Sequence, residues 1–182
     1  MLQQLLTQKK LSVLKKWFQA VVDTYPPDTS QFLKREQDPF ANPVGSTIFR
    51  GMEAIYEELL RGGRSENLSS FLDRILRIRA VQDFAPSKAV GFILDLKAVL
   101  REELSGEDLN EGLEQELLDL ERRIDDLILV AFDVYMQCRE KVCDARVGEI
   151  KAQKDAALRL LEITDLAQKK RLGGSDSEDG EP

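Results

Sequence analysis

With 182 residues, 42% of them apolar and 32% charged, the chain is long enough for one domain with a core and short for two. It holds no histidine, which removes the commonest general base, the commonest metal ligand and the proximal haem ligand together. A net charge of −7 with no segregated basic patch makes nucleic acid a poor partner.

Residues 2 to 25 read as a first helix, with Leu14, Phe18, Val21, Val22 and Tyr25 along one stripe. Pro26-Pro27 stops it. Asp28 is placed to cap a short helix through Phe32 and Leu33 that ends before Pro39. A third helix opens at Asn42-Pro43, a preferred cap followed by a preferred first residue. Ile48, Met52, Ile55 and Leu59 supply its buried stripe, and Gly62-Gly63 ends it.

A fourth helix runs from near Ser65 to about Asp83, with Leu68, Phe71, Ile75 and Ile78 inward. Pro86 sits early in a fifth, with Ala89, Phe92, Ile93, Leu96 and Leu100 inward, and Ser105-Gly106 breaks it. Gly51 and Gly91 fall inside these helices at a cost of about 1 kcal/mol each relative to Ala. Close approach of two helices would offset that cost; a small internal cavity is the alternative.

No proline interrupts the chain from Leu113 to Leu172. Leu117, Leu120, Ile124, Leu127, Ala131, Val134 and Cys138 step alternately by three and four, a coiled-coil rhythm. If continuous, such a helix extends about 90 Å. Its later part, Lys151 to Lys170, is more polar; Leu158, Leu161 and Leu166 leave a thin apolar seam that is expected to project or to pair with another copy. Gly173 to Pro182 is an acidic tail with no means of burying itself, expected to be disordered. The expected organisation is therefore a helical bundle over 1–150, a helical extension over 151–172 and a tail over 173–182. No alternating strand is found, so the fold class is all-α.

Cys138 and Cys143 lie five apart, about 140° around a helix, which fits two reduced thiols better than a disulfide or a metal pair. No charged-apolar-small leader opens the chain, and the longest apolar run, Leu127 to Phe132, is far too short to span a membrane. The expectation is a cytoplasmic protein with no membrane insertion.

Arg77 to Lys88 is the densest polar cluster and spans a junction between two helices. Arg79 and Asp83 are i,i+4 neighbours placed to pair, and the amides after Pro86 offer an anion site. Arg77, Arg79, Gln82, Asp83, Ser87 and Lys88 are thus candidates for binding an acidic ligand or a partner's carboxylate; the alternative is a polar network that fixes the corner. Asn42 and Gly45 mark a second helix start where a phosphate or a backbone could approach, although the glycine spacing and the GKS/T ending of a P-loop are missing. Ser12 and Lys15 have the spacing of a serine-lysine pair but no oxyanion element beside them. Glu53, Glu57, Glu58, Asp125 and Asp126 read as solvated surface, a carboxylate-only metal site being the alternative. Tyr135, Met136 and Cys138 are haem ligands in principle only, since no attachment motif accompanies them. No catalytic residue, no metal site and no cofactor is expected.

The corner segment Arg79 to Lys97, RAVQDFAPSKAVGFILDLK, resembles the N-terminal sensor domain of RsbRD, an RsbT co-antagonist of the bacterial stressosome RsbR type. Two further stretches are similar to the same family. One is Trp17-Phe18 leading to Tyr25-Pro26, then Phe40-Ala41-Asn42-Pro43-Val44-Gly45. The other is Ala131-Phe132-Asp133-Val134-Tyr135-Met136, followed by Cys138-Arg139-Glu140-Lys141 and Arg146-Val147. The likeness runs from about residue 10 to about 155. It implies an all-helical sensory domain in signal transduction, globin-like without haem in related RsbR sensors, which tend to dimerise. It also implies a following STAS domain, and no such β-α module is found here. The resulting expectation is a non-catalytic cytoplasmic regulatory domain with a protein partner, a homodimer through its long last helix, possessing or lacking a small ligand. The alternative is a ligand-free adaptor docking through the Arg77–Lys88 corner or the acidic 107–126 stretch.

Overall fold

The computed structural model describes residues 1–35, 38, 40–62, 65–107 and 110–173, with side chains for all of these except 65–67 and 170–173. Eight helices occur among the described residues and no strand: α1 (Leu2–Gln8), α2 (Lys10–Val22), α3 (Pro27–Arg35), α4 (Pro43–Arg61), α5 (Ser65–Val81), α6 (Pro86–Val90), α7 (Phe92–Leu104) and α8 (Glu111–Gly173). Contacts group the chain into two units, Met1–Glu140 and Lys141–Pro182. The expected stops at Pro39 and Gly63, and the acidic tail from 174, lie outside the described residues.

Sequence and structure differ first at the amino-terminal end. The expected single helix is two, α1 and α2, bent at Lys9 (φ −87°, ψ 4°). The hydrogen-bond ladder survives the bend: Lys9 N donates to Leu5 O (3.1 Å) and Val13 N to Lys9 O (3.0 Å). The buried face is wider than the expected stripe, adding Leu2, Leu6, Val13 and Trp17, while Phe18 is only half-buried. Pro27, not Asp28, begins α3, so Asp28 lies in the first turn, where its charge suits the helix dipole.

The start of α4 follows the sequence reading. Asn42 accepts a hydrogen bond from Gly45 N (2.8 Å), and Ile48, Met52, Ile55 and Leu59 are all buried. Gly62 closes the helix in the left-handed conformation (φ 71°). Helix α5 packs against α4, and Gly51 is the reason they fit. A Cβ at Gly51 would stand 2.9 Å from both Cδ1 and Cγ1 of Ile75. Close approach, not a cavity, accounts for this glycine. The inward face of α5 is shifted from the expected one: Leu72, Leu76, Arg79 and Ala80 are buried with Leu68 and Ile75, whereas Phe71 and Ile78 are half-buried. The fifth helix is broken at Gly91 into α6 and α7, although its five expected inward residues are all buried.

Helix α2 packs on α4 and α7. Trp17 is wholly buried in that contact, its indole N–H donating to Phe92 O (2.6 Å) with the Phe92 ring stacked beside it. Tyr56 of α4 donates its hydroxyl proton to Leu6 O (2.9 Å). The three-four seam of α8 is buried at every expected position from Leu117 to Cys138. Beside the seam, ion pairs fix α8 to the bundle: Arg101 makes a two-point contact with Glu121 (2.6 and 2.7 Å), and Lys97 meets Asp125 (2.9 Å). Arg123 donates to Leu59 O (2.8 Å), satisfying a carbonyl at the end of α4.

Candidate functional site

Helix α5 places one charged residue, Arg79, on its buried face. Its side chain is fully buried, which is rare for arginine and demands partners. The guanidinium donates to Lys88 O (2.7 Å), Thr24 Oγ1 (2.8 Å), Val21 O (3.3 Å) and Ala89 O (3.4 Å). It therefore ties the end of α2 and the short α6 to α5. The Phe84 ring lies 4.7 Å from its Cζ, the Phe92 ring 5.5 Å and the Tyr25 ring 5.6 Å. Aromatic faces are electron-rich and favour a cation placed over them.

Every hydrogen-bond acceptor of Arg79 is neutral. Asp95 attracts it electrostatically without a hydrogen bond. Burial presses the Arg79 pKa down, opposed by Tyr25, Asp95 and Tyr135; an arginine stays protonated nonetheless. Burial likewise pushes up the Tyr25 phenol and the Asp95 carboxyl. Among the described residues, the buried Tyr25 Oη and Arg79 Nε meet no partner in good hydrogen-bond geometry, and the two groups attract each other.

The turn after α5 is gripped from α8. Tyr135 donates its hydroxyl proton to Phe84 O, and Arg139 donates to Asp83 and to Ala80 O (3.2 Å). Asp83 adopts a positive φ (58°), which non-glycine residues seldom do. The expected Arg79–Asp83 pair is not formed: Arg79 points into the core and Asp83 outward to Arg139. Helical spacing alone places both on neighbouring turns; burial of one and exposure of the other separates them.

The remaining predicted residues divide. Arg77 is exposed and pairs with Asp73 (2.8 Å), one turn earlier on α5. Gln82, Ser87 and Lys88 are exposed, and only the Lys88 carbonyl joins the Arg79 cluster. Helix α6 has five residues and no side-chain cap, so the amides after Pro86 make a short turn against Arg79. Asn42 and Gly45 form a cap: Asn42 is buried, its amide donating to Leu33 O (3.3 Å), and a Cβ at Gly45 would strike the Asn42 side chain at 2.3 Å. Both line one end of an open cleft of about 600 Å³ among α2, α3 and α4.

Other sequence candidates are engaged elsewhere. Ser12 donates to Glu103 (2.7 Å), not to Lys15. Glu53 and Glu57 both meet Lys10 at 2.6 Å. Within the acidic 107–126 stretch, Glu107 meets Lys9, Glu116 the terminal amine, Asp119 Arg122, Glu121 Arg101 and Asp125 Lys97. Much of that charge is matched inside the molecule. Cys138 is buried and Cys143 exposed. Among the described residues no helix is long and apolar enough to cross a membrane.

Sequence reasoning missed Thr24, Tyr25, Phe84, Phe92, Tyr135 and Arg139 around the corner. The available signal was an arginine in phase with Leu72, Ile75 and Leu76 on an apolar face.

Comparison with known proteins agrees with the resemblance. An uncharacterised protein of Archaeoglobus fulgidus is 29% identical over 109 residues, which cover 59% of this chain and 66% of that protein, just under two thirds of its length. No solved structure matches. The family model described as the RsbT co-antagonist protein rsbRD N-terminal domain matches residues 12–149, a span that holds the whole Arg79 cluster and the α8 residues that grip it. The chain belongs to the RsbT co-antagonist protein rsbRD N-terminal domain family.

Proposed function

We propose that the chain is a non-catalytic regulatory module of the stressosome RsbR type, cytoplasmic, acting through protein–protein contacts and self-associating through the later part of α8. Family membership supports the regulatory class. The observation that carries the mode of action is the apolar load on the unit beginning at Lys141. There Val147 (48% exposed), Ile150 (65%), Leu158 (48%) and Leu161 (65%) stand on a single helix with no packing partner among the described residues of that unit. At about 100° per residue these four share a sector roughly 80° wide. Leu160, Ile163 and Leu166 are also more than 60% exposed, so the apolar surface is broader than the seam read from Leu158, Leu161 and Leu166.

A lone helix gains its stability mainly from burying such a face against something else. A second copy fits. The segment mixes Asp144, Glu149, Asp155 and Glu162 with Arg146, Lys151, Lys154 and Arg159, so two copies pair without net repulsion. The neutralised acidic stretch of 107–126 lends no support to the adaptor alternative. Sedimentation of the full chain tests the reading. Wild type is expected to self-associate, and Ile150→Asp with Leu161→Asp is expected to abolish this while the bundle stays folded. A clean monomer of wild type at high micromolar concentration refutes it.

A further inference from the structure

We propose that the cleft among α2, α3 and α4 binds a small organic monocarboxylate with an aryl or alkyl body, its carboxylate taken by Lys15 and Arg50 and its body laid on Phe18 and Phe49. The inference gives a ligand class to the regulatory module proposed above, and rests on that reading only for its consequence.

The cleft holds about 600 Å³, within the range of small-molecule sites. Two helices face each other across it with matching equipment. Helix α2 presents Lys15 and Phe18; α4 presents Phe49 and Arg50. The two phenyl rings meet edge to face, centroids 5.5 Å apart, and both remain half-exposed. They form an apolar floor that water covers poorly, with Leu33 beside it.

The charge is the more telling feature. Among the described residues lining the cleft are three cations and no carboxylate, in a chain of net charge −7. Of the three, Lys34 is matched by Asp23 at 2.7 Å and belongs to the rim. Lys15 and Arg50 have no hydrogen-bond or ion-pair partner among the described residues. Elsewhere on α2 the cations are satisfied: Lys10 bridges Glu53 and Glu57, and Lys16 bridges Glu102 and Glu103. Two cations unpartnered among the described residues, beside an aromatic floor, complement an amphiphile with one anionic end. Guanidinium offers a carboxylate two parallel hydrogen bonds, and the lysine adds a mobile point charge. A bare inorganic anion would leave the floor wet, and a neutral amphiphile would leave both cations unmatched.

The test titrates phenylacetate and hexanoate into the full chain by calorimetry, with phenylacetamide, acetate and inorganic phosphate as controls. The two amphiphilic carboxylates are expected to saturate one site. Phenylacetamide and acetate are expected to bind at least about tenfold more weakly, as are the amphiphiles to Lys15→Ala and Arg50→Ala. Both side chains are exposed, and a dichroism spectrum confirms that each variant keeps its helices. Absence of saturable binding by either carboxylate up to about 10 mM (about 3 kcal/mol of affinity) overturns the proposal. So does binding unchanged in both variants, equal binding of phenylacetamide, or equal binding of acetate or phosphate. Repeating the titration on the Ile150→Asp, Leu161→Asp chain separates the two readings: loss of self-association with binding intact refutes neither, whereas wild-type self-association without binding sinks this inference alone.

Discussion

Replacing Arg79 removes the one buried cation from the corner, and its cost can be worked from the contacts. Arg79→Ala deletes two short hydrogen bonds, to Lys88 O and Thr24 Oγ1, and two long ones. Charge-assisted bonds contribute about 1.5–3 kcal/mol each, the long ones little. The vacated volume lies among three rings, and truncating a large core side chain costs about 2–5 kcal/mol. Against this, the variant no longer desolvates a charge that lacks a carboxylate, a return of several kcal/mol. The net expectation is a loss of about 3 kcal/mol, or roughly 10 °C in a unit of this size. Arg79→Met fills the space and leaves carbonyls unpaired, for about half that loss. Arg79→Lys keeps the charge but cannot lie flat among the rings or fork between Lys88 O and Thr24 Oγ1, and is expected to fall at or below Met. Urea unfolding followed by fluorescence is the assay, because Trp17 is the only tryptophan and reports on this unit. An Arg79→Ala chain within about 0.5 kcal/mol of wild type refutes the reasoning, since that is what a surface position would give. So does a lysine variant as stable as wild type, which would mean that charge alone suffices.

Two further outcomes follow from packing and charge. Gly51→Ala and Gly148→Ala make the same change in helices, yet a Cβ at Gly148 meets nothing within 4 Å, whereas at Gly51 it meets Ile75 at 2.9 Å. Gly148→Ala is expected to give the full propensity gain of about 1 kcal/mol and raise helicity by dichroism, while overpacking of about 1–3 kcal/mol cancels or reverses that gain at Gly51; equal gains at both would contradict the close approach of α4 and α5. Acid is expected to weaken the bundle. Glu103 is held below its ordinary 4.5 by hydrogen bonds from Lys16 and Ser12, Glu57 by Lys10, and Asp23 below 3.8 by Lys34 and Gln19. A folded pKa below the unfolded one means that stability is present above the unfolded value and lost as pH falls through the folded one. Melting temperature is therefore expected to hold from pH 7 to about 5 and to fall below about 4, with Glu103→Gln flattening the drop. Asp95, raised by burial, works the other way, and a melting temperature that rises as pH falls towards about 4 would show it to dominate.

The sequence carried the helices better than it carried the corner. Caps and periodicity are local physics, and Asn42-Pro43, the α4 stripe and the α8 seam are each set by residues within a few turns. The failures have physical reasons too. Lys9 bends a helix without breaking its ladder, so no residue type announces the bend. The α5 face differs from the expected stripe because Arg79, a residue type that is ordinarily exposed, lies inward. The arginine stays inward because the end of α2, far off in the sequence, and α6, just beyond the turn, bring acceptors to it, while Tyr25, Phe84 and Phe92 surround it with rings. The cleft was half legible: Asn42 and Gly45 mark its end, but Lys15, Phe18, Phe49 and Arg50 become a group only when α2 and α4 pack.

The neutrality of the Arg79 partners bears on how the unit could relay a signal. A guanidinium locked to a buried carboxylate costs about 3–5 kcal/mol to disturb, whereas exchanging one neutral acceptor for another costs about 1 kcal/mol. Arg79 holds the end of α2 through Val21 and Thr24 and the start of the next helices through Lys88 and Ala89. The adjoining turn, Ala80 to Phe84, is held in turn by Tyr135 and Arg139, close to the end of the first unit at Glu140. Helix α2 also carries Lys15 and Phe18 of the cleft. A small displacement of α2 can therefore be taken up by Arg79 changing its choice among carbonyls rather than by rupture of an ion pair. On the proposed ligand binding, the Arg79 corner lies between helix α2 of the cleft and Tyr135 and Arg139 of α8, and a ligand acts through it only by binding two arrangements of that corner differently.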